Sequence, residues 1–106
     1  MSKAAVLKLF KKLVSEEELD NPQIYLFGSR ARKDYTKDSD WDFLIVSDKK
    51  IPPRKTMEVK RNLSLKFHDN FLYPLDIIIK DKKTFSWEKN MLNTISYAAD
   101  KEGLAL

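Results

Sequence analysis

The stretch GSRARKDYTKDSDWDFLIV, residues 28–46, decides the fold. It contains a Gly-Ser pair, then ten intervening residues, then two aspartates around a tryptophan, then a continuous apolar run. That run favours β structure and predicts a buried strand over residues 41–47. The segment just before the Gly-Ser pair predicts another short strand, over residues 23–27, which ends in a tight turn at Gly28.

The Gly-Ser pair has the properties of a phosphate-binding turn. Gly28 carries no Cβ, so its backbone can adopt unusual dihedral angles and approach a ligand closely. Ser29 would open a single helical turn over residues 29–33, whose free N–H groups suit a phosphate. The pair is therefore a candidate nucleotide-binding site.

The aspartates are candidate metal ligands. Side chains alternate along a strand, so Asp40 and Asp42 point the same way. Two carboxylates on one side repel each other unless a cation lies between them. Asp76 is a third candidate, since a carboxylate within Leu-Asp-Ile-Ile-Ile would be costly to bury alone. It should therefore lie at the wet end of its strand or beside a cation.

Hydrophobic patterning predicts three longer helices. Apolar residues recur at helical spacing over residues 4–19, over residues 54–68 and in a last helix that Thr84 would cap. The three stripes are Val6, Leu7, Phe10, Leu13 and Val14; Val59, Leu63 and Phe67; and Met91, Leu92, Ile95, Ala98 and Ala99.

The remaining elements are a strand over residues 75–79 and an edge strand over residues 104–106, after a helix stop at Gly103. The order is helix, strand, strand, helix, strand, helix, with a terminal strand. It predicts an α/β (α+β) protein with a small mixed β-sheet flanked by helices. We expect one domain, residues 1–106.

Composition narrows the function classes. The chain has no cysteine and a single histidine, His68, which argues against thiolate chemistry and a histidine metal site. No apolar run is long enough to span a bilayer, so we expect a cytoplasmic protein without a membrane partner. The net charge is +4, with 20 basic and 16 acidic residues interleaved. Direct nucleic-acid binding ranks lowest, because no aromatic-basic platform is evident.

Gly28-Ser29, ten residues and Asp40-x-Asp42 together resemble the signature of the polymerase-β-like nucleotidyltransferase superfamily. Three short motifs are similar to those of its minimal nucleotidyltransferase branch, the MNT or MntA-like antitoxins. They are Gly-Ser-Arg-Ala-Arg at residues 28–32, Asp-Ser-Asp-Trp-Asp at residues 38–42 and a near-terminal Lys-Glu-Gly at residues 101–103. Lys33 stands where this branch often has glycine.

The resemblance implies a polymerase-β-like nucleotidyltransferase fold and an enzyme that transfers AMP from ATP and releases pyrophosphate. Asp40, Asp42 and Asp76 would hold Mg²⁺ in a two-metal site and carry the catalysis. Gly28 and Ser29 would contact the β- and γ-phosphates. The resemblance also implies a cognate HEPN toxin as the partner, with a tyrosine hydroxyl as acceptor.

Two arginines follow the Gly-Ser pair, and their roles stay open at this point. Arg30 is a candidate nucleotide-binding residue, and Arg32 is equally placed to act near phosphates. For each, a surface or structural ion pair is an equal alternative. The alternative for the whole protein is a non-catalytic antitoxin that neutralises its partner by occlusion, for which the carboxylates would be dispensable.

Overall fold

The computed structural model describes residues 2–106, so Met1, the first residue of the predicted domain, lies outside it. No helix among the described residues is long and apolar enough to cross a bilayer. The elements are, in chain order, α1 (Lys3–Ser15), β1 (Gln23–Phe27), α2 (Ser29–Arg32), β2 (Trp41–Ser47), α3 (Pro53–His68), β3 (Leu75–Asp81), α4 (Lys82–Glu88), α5 (Ile95–Glu102) and β4 (Leu104–Ala105).

The four strands form one mixed sheet in the order β3-β2-β1-β4. β2 runs parallel to β3, and β1 runs antiparallel to both β2 and β4. The register pairs Phe27 with Asp42 and Asp42 with Asp76. The end of β1 and the beginnings of β2 and β3 therefore meet at one edge of the sheet, where the predicted site residues lie.

Strand β2 is the centre of the core because helices cover both of its faces. Phe43 and Ile45 are fully buried in a cluster with α1 and α3, where the ring of Phe10 stacks on Phe43 at 3.8 Å. Leu44 belongs to a second cluster with Phe85 of α4 and Ala99 of α5. Burial on both faces explains why residues 43–46 are continuously apolar instead of alternating.

The predicted fold class, a small mixed sheet flanked by helices, is confirmed. The strands predicted over residues 23–27 and 41–47 have those bounds in the structure, and the third strand continues two residues past its predicted end to Asp81. The predicted terminal strand pairs with β1 over two residues. The first helix ends at Ser15, not at residue 19, because its apolar stripe ends at Val14 and three glutamates follow.

The single C-terminal helix predicted from the sequence is wrong. It is divided into α4 and α5, because Asn93 takes a left-handed conformation with φ of 69° and the hydroxyl of Thr94 caps α5 by accepting from Tyr97 N–H. Thr84 does not cap a helix: the carboxylate of Asp81 caps α4 and accepts the N–H of Thr84.

The division also removes part of the predicted apolar stripe from the core. Leu92 is 70% exposed, whereas Ala99 of the same predicted stripe is buried. Trp87, at the end of α4, is 69% exposed. The segment that joins the two helices therefore presents large apolar side chains to solvent.

Candidate active site

The turn after β1 requires glycine. Gly28 has φ of 75° and ψ of −162°, a region that residues with a Cβ rarely adopt. Its carbonyl accepts the N–H groups of Ala31 at 3.1 Å and Arg32 at 3.3 Å, which closes the single turn α2. Gly28 is the N-cap of α2 and has no side chain to accept from the first N–H groups of that turn, which in any helix lack an intrahelical acceptor. These groups suit an anion.

The same glycine lies against the aspartate of the next strand. A Cβ added to Gly28 would overlap Oδ2 of Asp42 and lie 3.2 Å from its Cγ. The turn and the carboxylate are thus in van der Waals contact only because residue 28 has no side chain. The sequence signature of Gly-Ser followed at a distance by Asp-x-Asp becomes one compact site in the fold.

Three carboxylates share this edge of the sheet. Asp42 pairs with Asp76 across β2 and β3, and Asp40 directly precedes β2. Burial, and then the negative charges of Asp40 and Asp76, raise the pKa of Asp42, whereas Arg32 acts in the opposite direction. Asp76 is exposed, so it lies at the wet end of its strand as expected.

The donor set fits a hard divalent cation. Carboxylate oxygens are the preferred ligands of Mg²⁺, and a cation would relieve the repulsion that raises the pKa of Asp42. Among residues 2–106, no three acidic or histidine side chains are placed close enough to hold an ion together. Asp40, Asp42 and Asp76 share an edge and an electrostatic environment, and their joint binding of a metal stays a prediction.

The two arginines of the turn have different positions. Arg32 is half exposed, and its positive charge acts to lower the pKa of Asp42. It makes ion pairs with Asp34 at 3.5 Å and Glu102 at 3.8 Å. Glu102 belongs to the Lys-Glu-Gly segment near the C-terminus, so that segment is joined to the Gly-Ser turn. Arg30 is only 6% exposed and donates to backbone carbonyls in the segment before β2. These contacts favour a structural role for Arg30.

A cavity of about 650 Å³ opens between the segment before β2 and the loop from α3 to β3. Its lining consists of Lys37 and Asp38 on one side and residues 70–74 on the other. The two walls are joined where the backbone N–H of Trp41 donates to the carbonyl of Pro74 at 2.9 Å. Asp40 and Asp76 do not line the cavity, but each is two residues along the chain from a residue that does.

Sequence reasoning missed the aromatic residues near the site. The rings of Tyr35 and Tyr73 both contact the Arg30 guanidinium, and Tyr73 also lines the cavity. Both tyrosines occur in irregular segments, where no periodicity marks a buried face. The only available signal was the concentration of aromatic residues at 71–74, directly before the strand that carries Asp76.

Comparison with known proteins bears on the identity of this site. The family described as polymerase beta, nucleotidyltransferase matches residues 8–101. A candidate nucleotidyltransferase from Sulfolobus solfataricus, solved at 1.40 Å, is similar over 95% of this chain and 76% of its own, with 24% identity and a TM-score of 0.57. A chain of a mutant MntA–HpeT toxin–antitoxin complex is similar over 100% of this chain and 72% of its own, with 18% identity and a TM-score of 0.55. No curated protein matches.

Proposed function

The chain belongs to the polymerase β nucleotidyltransferase family, and on that premise we propose that it transfers AMP from ATP to a hydroxyl of a partner protein. The observation that carries this proposal is the contact of Gly28 with Asp42, together with the pairing of Asp42 with Asp76. The turn, Asp42 and Asp76 therefore lie at one edge of the sheet, and Asp40 directly precedes β2 at the same edge. Nucleotidyl transfer to a hydroxyl would require this turn and these carboxylates to act together.

The chemistry follows from the roles of these residues. The turn at Gly28 and Ser29 binds the β- and γ-phosphates and leaves the α-phosphorus near the carboxylates. Asp40, Asp42 and Asp76 would hold Mg²⁺, which when bound would stabilise charge at the α-phosphate and lower the pKa of the acceptor hydroxyl. Asp76 accepts the hydroxyl proton. The acceptor oxygen bonds to the α-phosphorus, the bond from that phosphorus to the β-phosphate oxygen breaks, and pyrophosphate leaves.

We infer from the order of strands that the two substrates bind on different sides of Asp42. Asp42 on β2 lies between the Gly-Ser turn at the end of β1 and Asp76 on β3. The triphosphate would therefore lie on the β1 side and the acceptor on the β3 side. The cavity beside β3 has apolar side chains over residues 71–74 opposite the charged Lys37 and Asp38, and Leu72 is 95% exposed. Such a surface suits a polypeptide acceptor better than a phosphate backbone.

We propose that the acceptor is a tyrosine of a cognate HEPN toxin and that the chain is the antitoxin of this pair. Support comes from the short Gly-Ser-Arg-Ala-Arg and Asp-Ser-Asp-Trp-Asp segments and from a fold like that of a chain in the MntA–HpeT toxin–antitoxin complex. AMP on a tyrosine near a ribonuclease site would add charge and bulk and so hinder RNA binding.

The test is transfer of label from ATP labelled at the α-phosphate to the purified partner, with Mg²⁺ present. We expect labelling by the native protein and none by Asp40→Asn or Asp76→Asn. Glu18→Gln is the matched control, because its side chain is 94% exposed in the segment after α1. Absence of label with the native protein, or equal labelling by the aspartate variants, would reject the enzymatic function.

Exposed apolar side chains at the end of α4 and in the segment that follows it favour a second function, neutralisation of the partner by binding alone. Trp87 and Leu92 are each at least two-thirds exposed and could be covered by a partner. This function predicts that Asp42→Asn still protects cells from the toxin at native expression, whereas Trp87→Glu does not. The enzymatic function predicts loss of protection with Asp42→Asn.

A further inference from the structure

Arg30 is buried although it belongs to a single-turn helix at the surface. Its guanidinium Cζ lies 4.4 Å from the ring centroid of Trp41, 5.0 Å from that of Tyr35 and 5.1 Å from that of Tyr73. No ion pair of Arg30 occurs among residues 2–106. A buried charge is costly without compensation, and the three rings compensate it through cation–π contacts.

The hydrogen bonds that the Arg30 side chain donates all reach the segment that leads into β2. Nη2 donates to the carbonyl of Ser39 at 3.0 Å and to that of Lys37 at 3.3 Å, and Nε donates to Ser39 at 3.3 Å. Ser39 directly precedes Asp40, and Trp41 directly follows it. Asp40 therefore lies between a backbone carbonyl that Arg30 binds and a ring on which Arg30 stacks.

Little else fixes this segment. Residues 34–38 are exposed. Apart from the contacts with Arg30, they make the ion pair from Asp34 to Arg32 at 3.5 Å and a local turn, in which Ser39 N–H donates to the carbonyl of Thr36 at 3.1 Å and Thr36 N–H donates to the Ser39 hydroxyl at 2.9 Å. The turn fixes the segment internally but does not attach it to the sheet. Arg30 supplies that attachment from the helix that begins at Ser29.

We propose that Arg30 is a positioning residue that holds Asp40 beside Asp42 and couples its position to the Gly-Ser turn. The proposal deepens the proposed function and rests on it where Asp40 acts as a metal ligand. The planar guanidinium can donate two hydrogen bonds in a fixed geometry while it stacks on aromatic rings, which an ammonium group cannot reproduce. A direct contact of Arg30 with the nucleotide is not part of this role.

The first arm of the test needs neither metal nor nucleotide. Hydrogen exchange in the Arg30→Ala variant should show faster exchange at the amides of residues 36–41, with α1 and α3 as protected as in the native protein. Tyr35→Ala removes one stacking ring at a 42% exposed position and should give the same pattern more weakly. Arg61→Ala, an exposed arginine on α3, is the matched control and should change nothing.

The second arm measures Mn²⁺ affinity by electron paramagnetic resonance, with a non-hydrolysable ATP analogue present. Loss of a group that orients a metal ligand typically lowers metal affinity about 10- to 100-fold, and we expect a decrease in this range for Arg30→Ala. Arg30→Lys should recover only part of the affinity. Affinity for the analogue without a divalent ion should not change, whereas a direct phosphate contact would lower it.

The outcomes separate this proposal from the function on which it rests. Unchanged exchange at residues 36–41 in both Arg30→Ala and Tyr35→Ala would overturn the positioning role, whatever the protein catalyses. Faster exchange in Arg30→Ala together with native Mn²⁺ affinity would also overturn the positioning role, because Arg30 would then only stabilise the segment. A native protein that binds neither Mn²⁺ nor the analogue would refute the proposed function, and the exchange result would still decide whether Arg30 holds the segment.

Discussion

Replacement of Gly28 by alanine tests the geometry of the site without any ligand. The backbone of Gly28 lies in a region that is essentially reserved for glycine, and a Cβ there would overlap the Asp42 carboxylate. We expect the strained backbone at residue 28 to lower the free energy of unfolding by about 1–3 kcal/mol. The forced displacement of Asp42 should lower it by about 1–3 kcal/mol more. The total is a large fraction of the roughly 5–15 kcal/mol that stabilises a typical domain.

The two costs can be separated by a double-mutant cycle. In an Asp42→Ala background the two closest atoms, Oδ2 and Cγ of Asp42, are removed, and the new methyl group at residue 28 would lie 3.4 Å from Cβ of residue 42, which is an ordinary contact. Gly28→Ala should then lose only the backbone cost, so the coupling free energy between the two substitutions should be about 1–3 kcal/mol. Lys33→Gly is the control of opposite sign, since Lys33 has φ of 74° and glycine there should stabilise the fold by about 1 kcal/mol.

The assay is urea unfolding followed by tryptophan fluorescence, because Trp41 is buried in the native state. A chelator keeps divalent ions from adding binding energy to the native state. Equal costs of Gly28→Ala in the native and Asp42→Ala backgrounds would refute the contact between the turn and the carboxylate. A cost near zero in both would refute the backbone conformation as well.

Three further predictions concern electrostatics and the acceptor side. Asp42→Asn should raise the stability of the metal-free protein to urea, since burial and neighbouring carboxylates raise the pKa of Asp42 and so disfavour its charged form; a lower midpoint would contradict this. The hydrogen bond from Lys80 is the main cause that lowers the pKa of Glu88 in the folded protein. This hydrogen bond therefore stabilises the fold above the ordinary carboxyl range near pH ~4. The stabilisation is lost as the pH falls through the lowered pKa of Glu88 in the folded state. Acid unfolding of Glu88→Gln should therefore be less steep than that of the native protein, and identical profiles would contradict the contribution. Leu72→Asp should leave unfolding and ATP binding unchanged but reduce transfer of label to the partner, and unchanged transfer would place the acceptor elsewhere.

The sequence predicted the parts of the fold in which burial decides the structure. A strand covered on both faces must be apolar throughout, so residues 43–46 identified β2 without ambiguity. Asp76 stood out because a charge in an apolar strand needs water or a cation, and its exposed position beside Asp42 confirms the first of these. Gly28 could be singled out because the chain has only two glycines.

Features that depend on side-chain hydrogen bonds could not be predicted. The apolar pattern of the last helix continues across residues 91–95, but the Thr94 hydroxyl caps a new helix there and the pattern gives no sign of it. The location of Arg30 depends on three aromatic rings from separate segments, which no spacing in the sequence reveals. The Thr94 cap is a local hydrogen bond that the apolar pattern does not encode, whereas the location of Arg30 is determined by tertiary contacts.

The most direct test of the central claim is a crystal structure of the protein with Mn²⁺ and a non-hydrolysable ATP analogue. We expect anomalous scattering from Mn²⁺ among the carboxylates of Asp40, Asp42 and Asp76, and the triphosphate at the N–H groups of the Gly28-Ser29 turn. Mn²⁺ bound away from these carboxylates, or a triphosphate bound away from the turn, would contradict it.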